Sequence, residues 1–242
     1  MAERDSVSRP GGGLLLYCIA NASSGGPNDE PGVHGARLER VVHGELVAVV
    51  SPVADMARVM APAQVDLLAY ERVIRSRHAV ADVVPMRFGS VLSGEAAVRA
   101  HLDEQRASYL RVLARVAGCV EVGVRALISS PPPPVMREEV APIRSGADYL
   151  KARRHRYSAE SQLRDQCAAL EQSLLSKVAP LCREHRMEFS RPRPGEPVLC
   201  SVYFLVQRDQ VPAFRAALSS SPGADHPETS LSGPWPPFNF VD

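Results

Sequence analysis

Short, continuous apolar runs alternate along the chain with longer stretches in which apolar residues recur at helical spacing. The first run, LLLYCIA at 14–20, is apolar throughout, which is typical of a strand buried on both faces. Other runs predict strands at 36–42, 45–51, 83–92, 119–128 and 198–207. His43-Gly44 lies between two of them and favours a tight hairpin turn. We expect the strand at 83–92 to be interrupted at Pro85 and Gly89.

Spacings of three and four residues predict helices between these strands. The predicted helices are a short one at 55–60 capped by Asp55, a longer one that starts at Pro62, and others at 95–116, 148–185 and 209–218. One apolar-leaning face of the second helix consists of Leu67, Tyr70, Ile74 and His78. Pro180 should kink or divide the helix at 148–185, because proline cannot donate the backbone hydrogen bond.

The sharpest change in composition is SSPPPP at 129–134, where consecutive prolines favour a stiff polyproline II spacer. Strand and helix patterns occur on both sides of it, and 242 residues suffice for two modest cores. We therefore predict an α+β protein with two domains. The predicted parts are a disordered leader at 1–13, an N-terminal α+β domain at 14–130, a Pro-rich linker at 131–142, and a C-terminal α+β domain at 143–242.

The last part of the chain, LSGPWPPFNFVD at 231–242, combines prolines with aromatic residues. Proline cannot donate to a sheet ladder, so this tail is excluded from the centre of a sheet. Its aromatic side chains would put a large apolar patch in water if the tail were free. We therefore expect the tail to pack on the protein.

The charge balance argues against a polyanionic partner. Lys+Arg 28 against Asp+Glu 27 gives a formal net charge of +1, so no global field would hold nucleic acid. The run at 14–20 is too short to span a bilayer, and residues 1–10 mix both charge signs, unlike a signal peptide. The five cysteines are widely spaced without a CxxC pair, unlike those of a secreted disulfide scaffold. Cys18, Cys119 and Cys200 lie inside apolar strand-like runs, which indicates core thiols in a reducing compartment. We expect a cytosolic protein that binds neither nucleic acid nor membrane.

Sequence patterns of the common catalytic and metal sites are missing. The chain has no GxxxxGK[ST] loop, no GxSxG elbow, and no HxxxH or HExxH pair among its seven histidines. We therefore expect no enzymatic activity, no cofactor and no bound metal. The basic cluster at 151–156 is either a solvated helix face or a contact site for nucleic acid, membrane phosphates or, ahead of these two, an acidic protein partner.

Five stretches, in order along the chain, together resemble the gas vesicle protein F/L family, GvpF/GvpL. They are LLLYCIA at 14–20, ELVAVVSPV at 45–53, VVPMRFGSVL at 83–92, SGADYLKARR at 145–154 and GPWPPFNFV at 233–241. The likeness covers nearly the whole chain, which makes it more specific than any one stretch. It does not separate the F branch from the L branch.

The resemblance implies a two-domain α+β protein whose second domain is similar to a ferredoxin-like fold with a long helix. It implies a gas vesicle accessory or minor structural protein in the cytoplasm, associated with gas vesicles. The implied partners are the main shell protein, GvpA, and other gas vesicle accessory proteins. The role is chaperone-like, nucleating, or that of a minor component at the gas-facing wall, and no cofactor or reaction belongs to it. The alternative is a general cytosolic protein-binding adaptor with no gas vesicle role.

Two of the resembling stretches combine aromatic residues with Met, Arg and Pro, which suit the anchors of a protein interface. The candidate residues are Met86, Arg87, Phe88, Trp235, Phe238 and Phe240. They serve either to bind a partner or to pack the domains against each other. The sequence leaves both roles open.

Overall fold

The structure is a computed structural model that describes residues 13–25, 30–128, 146–190, 197–219 and 229–241. Within 146–160 it describes the backbone only. The chain divides into two compact units, one formed by Met1–Cys119 with Trp235–Asp242 and the other by Val120–Pro234. Each unit combines helices with an antiparallel sheet, so the predicted α+β class is confirmed.

The sheet of the first unit is built around its first strand. The strands are β1 (Leu14–Asn21), β2 (Glu39–His43), β3 (Leu46–Pro52), β4 (Val83–Pro85) and β5 (Val91–Leu92). They follow the order β2-β3-β1-β4, and β5 pairs with the opposite end of β1 from β4. Strand β1 is central, and its side chains from Leu15 to Ala20 are all buried, as the continuous apolar run predicts. Gly44, at φ +56, permits the tight turn between β2 and β3.

The described residues of this unit also form four α-helices. They are α1 (Met56–Met60), α2 (Gln64–Val80), α3 (Glu95–Glu104) and α4 (Arg106–Val116). The Asp55 side chain accepts a hydrogen bond from the Ala57 amide at 2.9 Å, which confirms the predicted cap of α1. The single helix predicted at 95–116 is wrong, because Gln105 leaves the helical conformation at φ −96 and ψ 6 and divides it. The apolar stripe across both halves is nevertheless buried, at Val98, Leu102, Tyr109, Leu113 and Val116.

The second unit follows the order strand, helix, two strands, helix, strand. Its elements are β6 (Cys119–Ile128), α5 (Gly146–Val178), β7 (Glu184–Phe189), β8 (Val198–Gln207), α6 (Val211–Ser219) and β9 (Thr229–Trp235). The sheet has the strand order β7-β8-β6-β9. This element order is that of the ferredoxin-like motif, and the likeness of the whole unit to that fold stays a prediction.

Two parts of the second unit differ from the sequence-based expectations. Helix α5 ends at Val178 and a 3-10 turn with Pro180 follows, so proline divides the predicted helix at 148–185. The residues after that turn form β7, where a helix was expected as far as His185. The tail contributes strand β9, which the expectation of a docked tail did not include. Strand β9 lies at an edge of the sheet, as Pro234 requires.

The two compact units divide the chain differently from the predicted domains. Strand β6, placed by the prediction in the N-terminal domain, is hydrogen-bonded between β8 and β9 of the second unit. Alternate residues of β6 pack in one core with helix α5. These β6 residues are Val120, Val122, Val124, Ala126 and Ile128. The residues after β9 belong to the first unit. The predicted linker at 131–142 lies outside the described residues, so its conformation stays a prediction.

The five cysteines, all within the described ranges, are free thiols. Four of them are buried, as predicted for core residues, and Cys182 alone is partly exposed. Burial raises the pKa of the Cys18 thiol and that of the Cys200 thiol to about 12, so neither supplies thiolate at neutral pH.

We therefore expect one thiol of the native protein to react measurably with a disulfide reagent such as DTNB at pH 8. The reacting residue should be Cys182, because reaction needs an accessible sulfur. A Cys182→Ser variant should lose this reaction while its denatured form still titrates the remaining thiols. Fast reaction of two or more thiols in the native protein would contradict the burial described above.

Candidate partner-binding surface

The segment between β4 and β5 carries three of the candidate residues and leaves the sheet. Its two ends remain tied to β1, since the Met86 amide donates to the Tyr17 carbonyl at 2.9 Å and the Leu16 amide donates to the Ser90 carbonyl at 2.8 Å. The β1 register shifts between Leu16 and Cys18, where the segment departs. The segment 86–90 is therefore a loop between β4 and β5 that is held at both ends, and the strand predicted at 83–92 is interrupted as Pro85 and Gly89 predict.

Tyr70 of helix α2 fills the gap behind this loop. Its hydroxyl lies 2.7 Å from the Leu16 carbonyl oxygen, 3.0 Å from that of Met86 and 3.2 Å from that of Arg87. Its ring stacks on Tyr17 with centroids 4.9 Å apart and meets the edge of Phe88 at 5.1 Å. Burial raises the pKa of Tyr70 far above its ordinary value, so the phenol stays a neutral donor.

The three candidate residues of the loop differ in exposure. Met86 is half-buried, and the Tyr109 hydroxyl lies 3.9 Å from its sulfur. Phe88 is half-buried and packs against the core of the first unit through Tyr70. Arg87 is exposed. The contacts of Met86 and Phe88 favour a packing role, and a binding role for the loop stays a prediction.

The last part of the aromatic tail, from Trp235 onwards, belongs to the first unit and contacts it at Trp235 and at Phe240. The Arg75 guanidinium lies 4.5 Å from the centroid of the Trp235 ring, and its Nη2 atom pairs with Glu71 Oε1 at 2.8 Å. Phe240 is fully buried, and its carbonyl accepts a hydrogen bond from Arg115. Phe238 remains 36% exposed. Phe240 is thus a packing residue of the first unit, whereas Phe238 offers part of its ring to solvent.

Helix α2 brings the two groups of candidate residues together. Tyr70 contacts Phe88, and Arg75, five residues further along the helix, contacts Trp235. Five residues span roughly 7–8 Å along a helix axis. Helix α2 therefore contacts both the loop, through Tyr70, and the tail, through Arg75.

Sequence reasoning missed an exposed apolar surface at the start of this helix. We call the apolar patch the exposed side chains of Met56 and Met60 on α1 and of Val65 and Leu68 on α2. Of these, Met60 is 78%, Val65 is 65% and Leu68 is 55% exposed. On the predicted apolar-leaning face of this helix, Tyr70, Ile74 and His78 are buried, whereas Leu67 is 43% exposed. The overlooked signal is a second apolar spacing on α2, Val65 and Leu68, outside the stripe that faces the core.

The backbone under the apolar patch is well fixed. Val59 of α1 is buried in the core of the first unit, between the exposed Met56 and Met60. At the start of α2, Asp66 accepts a hydrogen bond from the Ala63 amide at 3.0 Å through Oδ2. The other oxygen of Asp66 lies 3.0 Å from His34 Nε2. The side chains of the patch therefore project from elements that are held by the core and by a helix cap.

Arginine side chains continue the outer face of α2 beyond the patch. Leu68, Arg72 and Arg75 follow at spacings of four and three, so they lie along one side of the helix. The Arg75 guanidinium is already engaged by Glu71 and Trp235. Arg72 is exposed, and it forms no ion pair with any residue whose side chain the structure describes. The apolar patch therefore ends at an available positive charge.

A family model described as "Gas vesicle synthesis protein GvpL/GvpF" matches residues 13–242. The chain belongs to the GvpL/GvpF family. This confirms the resemblance that the five stretches carry, and it shows a gas vesicle related role. The family is one of gas vesicle structural and assembly proteins.

Relatives from both named branches of the GvpL/GvpF family align over nearly the whole chain. Gas vesicle protein F of Streptomyces sp. (strain CB03234) is 31% identical over 94% of this chain and 98% of its own length. Gas vesicle protein L of the same strain is 28% identical over 98% of this chain and 91% of its own length. Because the two identities are so close, they do not assign the chain to one branch.

Two solved structures of GvpF proteins have the same fold as this GvpL/GvpF-family chain. The crystal structure of GvpF from Anabaena sp. PCC7120 superimposes with a TM-score of 0.72 at 18% identity, covering 96% of this chain and 97% of that one. The crystal structure of GvpF from Microcystis aeruginosa gives a TM-score of 0.72 at 14% identity over 95% of this chain and 99% of that one. At these identities the likeness shows the fold alone.

The described part of this GvpL/GvpF-family chain offers no metal site by its geometry. Within it, no three His, Cys, Asp or Glu side chains converge closely enough to hold a metal ion. No helix in the same residues has the length and apolar character needed to cross a membrane. The surface features that remain are the apolar patch, the exposed Arg87 and the half-exposed Phe238.

Proposed function

We propose that this chain assists gas vesicle formation by binding the main shell protein, GvpA, in the cytoplasm. The role is that of a chaperone-like or nucleating factor that holds shell subunits before they join the wall. The observation that carries the proposal is the apolar patch on α1 and α2, which a gas vesicle family protein presents to water from a rigid support.

The physical reason lies in the shell subunit that the family resemblance implies. A small, apolar, strand-forming subunit exposes sheet edges, and such edges pair with one another and aggregate. A binder that covers part of this surface keeps the subunit available for ordered assembly. An apolar patch of several side chains suits that task, because contact with the subunit removes apolar surface of both proteins from water. This binding needs no chemical reaction.

The proposal is tested by diluting denatured GvpA into buffer with and without an equimolar amount of this protein. We expect light scattering from aggregated GvpA to fall, and GvpA to co-elute with this protein in size-exclusion chromatography. An unrelated monomer of similar mass is the control for crowding. Unchanged scattering together with separate elution would contradict the proposed function.

A second aggregating protein separates this function from that of a general adaptor. Denatured citrate synthase exposes apolar surface but has no part in gas vesicles. We expect this protein to suppress its aggregation far less than that of GvpA. Equal suppression of both would favour a general protein-binding role.

A further inference from the structure

We propose that the apolar patch and Arg72 together form a docking surface for one amphipathic segment of the shell protein, a segment that carries a carboxylate beside its apolar side chains. For the identity of the partner, the inference rests on the proposed function. It adds the place of contact, the chemistry of the docking segment and the residue that selects it.

The first step is the position of the patch on α2. Val65 and Leu68 lie on the side of the helix opposite the buried Tyr70, Val73 and Ile74. The connection from α1, residues 61–63, brings the exposed Met60 within a few residues of Val65. Val65, Leu68 and Arg72 therefore follow one side of α2 at spacings of three and four, and Met60 precedes them by a short connection.

The second step is preorganisation. Val59 anchors α1 in the core, and Asp66 ties the start of α2 to the Ala63 amide and to His34. A surface whose backbone is already ordered loses little conformational entropy when a partner binds. The patch therefore suits binding by a segment that becomes ordered on a rigid support.

The third step is the charge at the end of the patch. Arg72 is one helical turn from Leu68, so a segment that covers Leu68 removes water from the guanidinium as well. Desolvating a cation is costly unless an opposite charge replaces the water. Arg75 cannot take this role freely, because Glu71 and Trp235 already engage it. Arg72 therefore selects a segment with a carboxylate and disfavours one with a positive charge.

The test compares the affinity of fluorescently labelled GvpA for wild type and variants by anisotropy. The combined variant Met60→Gln, Val65→Gln and Leu68→Gln should bind at least tenfold more weakly, and Arg72→Glu about tenfold more weakly. Val80→Gln is the matched apolar control, since Val80 is 61% exposed at the far end of α2. Arg111→Glu is the matched charge control on helix α4. Both controls should bind within twofold of wild type.

A charge exchange identifies the carboxylate. Each Asp and Glu of GvpA is replaced in turn by Lys and paired with the Arg72→Glu variant. One such replacement should restore binding to Arg72→Glu while weakening binding to wild type, as expected for a direct pair. Restoration by none of them would overturn the charge selection.

The outcomes separate the inference from the proposed function. If wild type binds GvpA and the patch variants bind equally well, the docking surface is wrong and the proposed function stands. If wild type does not bind, both fail. If sedimentation velocity shows a dimer for wild type and a monomer for the patch variants, the patch is a self-association surface. If wild type binds phosphatidylglycerol vesicles and the patch variants do not, the patch is a lipid-binding surface. Either result without loss of GvpA binding overturns the inference. Unchanged melting temperatures show that the variants fold, since all these positions are exposed.

Discussion

Substitution of Phe240 by alanine should destabilise the protein by about 3–5 kcal/mol, the usual cost of removing a fully buried phenylalanine. Phe240 has no exposed surface, and Arg115 holds its carbonyl in place. The cavity cannot close easily, because the preceding Pro236 and Pro237 are also buried and restrict the backbone. Urea unfolding followed by circular dichroism measures the loss.

Phe238→Ala is the matched control for this experiment. It removes the same ring from the same 3-10 turn, two residues earlier, but that ring is 36% exposed. We expect it to cost about 1 kcal/mol or less, in line with substitutions outside the core. Equal losses for both variants would contradict the assignment of Phe240 as the packing residue of the tail.

Deletion of residues 233–242 then separates packing from binding. It removes Phe240 together with Trp235, whose ring lies against Arg75, so stability should fall by at least as much as in Phe240→Ala. If the shortened protein melts at the wild-type temperature but loses GvpA, the tail is a direct contact and its packing role is wrong. The hypothesis that the tail also fixes the relative orientation of the two domains stays a prediction.

The sequence predicts well those elements whose residue pattern is set by near neighbours in the chain or by burial of both faces of a strand. Strand β1 is apolar from Leu15 to Ala20 because both faces of the sheet are covered there and all these side chains are buried. Asp55 predicts the start of α1 because a cap acts within two residues. Pro180 predicts the end of α5 because it lacks the amide proton that a helix needs.

The missed elements depend on partners far along the chain. Strand β7 has only six residues, and it directly follows a stretch with helical spacing. Its short alternation of charged and other residues is therefore not distinguishable from the end of the predicted helix. Its identity as a strand comes from pairing with β8, where Arg186 lies opposite Tyr203. Strand β6 belongs to the second unit for the same reason, since its partners β8 and β9 come much later in sequence.

The candidate site was predicted in part. The loop at 86–90 and the tail were found because aromatic residues beside proline and glycine are conspicuous in a sequence. Helix α2, which contacts both, was not recognised as their common support, because contacts across a fold have no local signature. The apolar patch was missed since Val65 and Leu68 look like core residues until the core is known to lie on the other face of the helix.

Substitution of Tyr70 by phenylalanine should cost about 1–3 kcal/mol, because it removes a donor from the buried Leu16 carbonyl and from the partly buried Met86 carbonyl. The hydroxyl serves the carbonyls of Leu16, Met86 and Arg87, and its single proton is shared among them. The phenylalanine ring keeps the packing against Tyr17 and Phe88, so the change isolates the hydrogen bond. Tyr203→Phe is the control, a half-buried tyrosine on β8 for which the described residues supply no hydrogen-bond partner. It should change stability by less than about 0.5 kcal/mol.

The pH dependence of the same variant tests the origin of the effect. Burial raises the pKa of Tyr70 in the folded protein, whereas the unfolded chain ionises near its ordinary value of about 10. The contribution of Tyr70 is therefore fully present below about pH 10 and is lost as the pH rises beyond it, because only the unfolded state releases the proton. The stability of wild type should fall more steeply above pH 10 than that of Tyr70→Phe, and the gap between them should narrow. Some decline remains in the variant, since burial also raises the pKa of Tyr17. Parallel alkaline curves for the two proteins would show that the Tyr70 hydroxyl is not the buried neutral donor that holds the loop at 86–90.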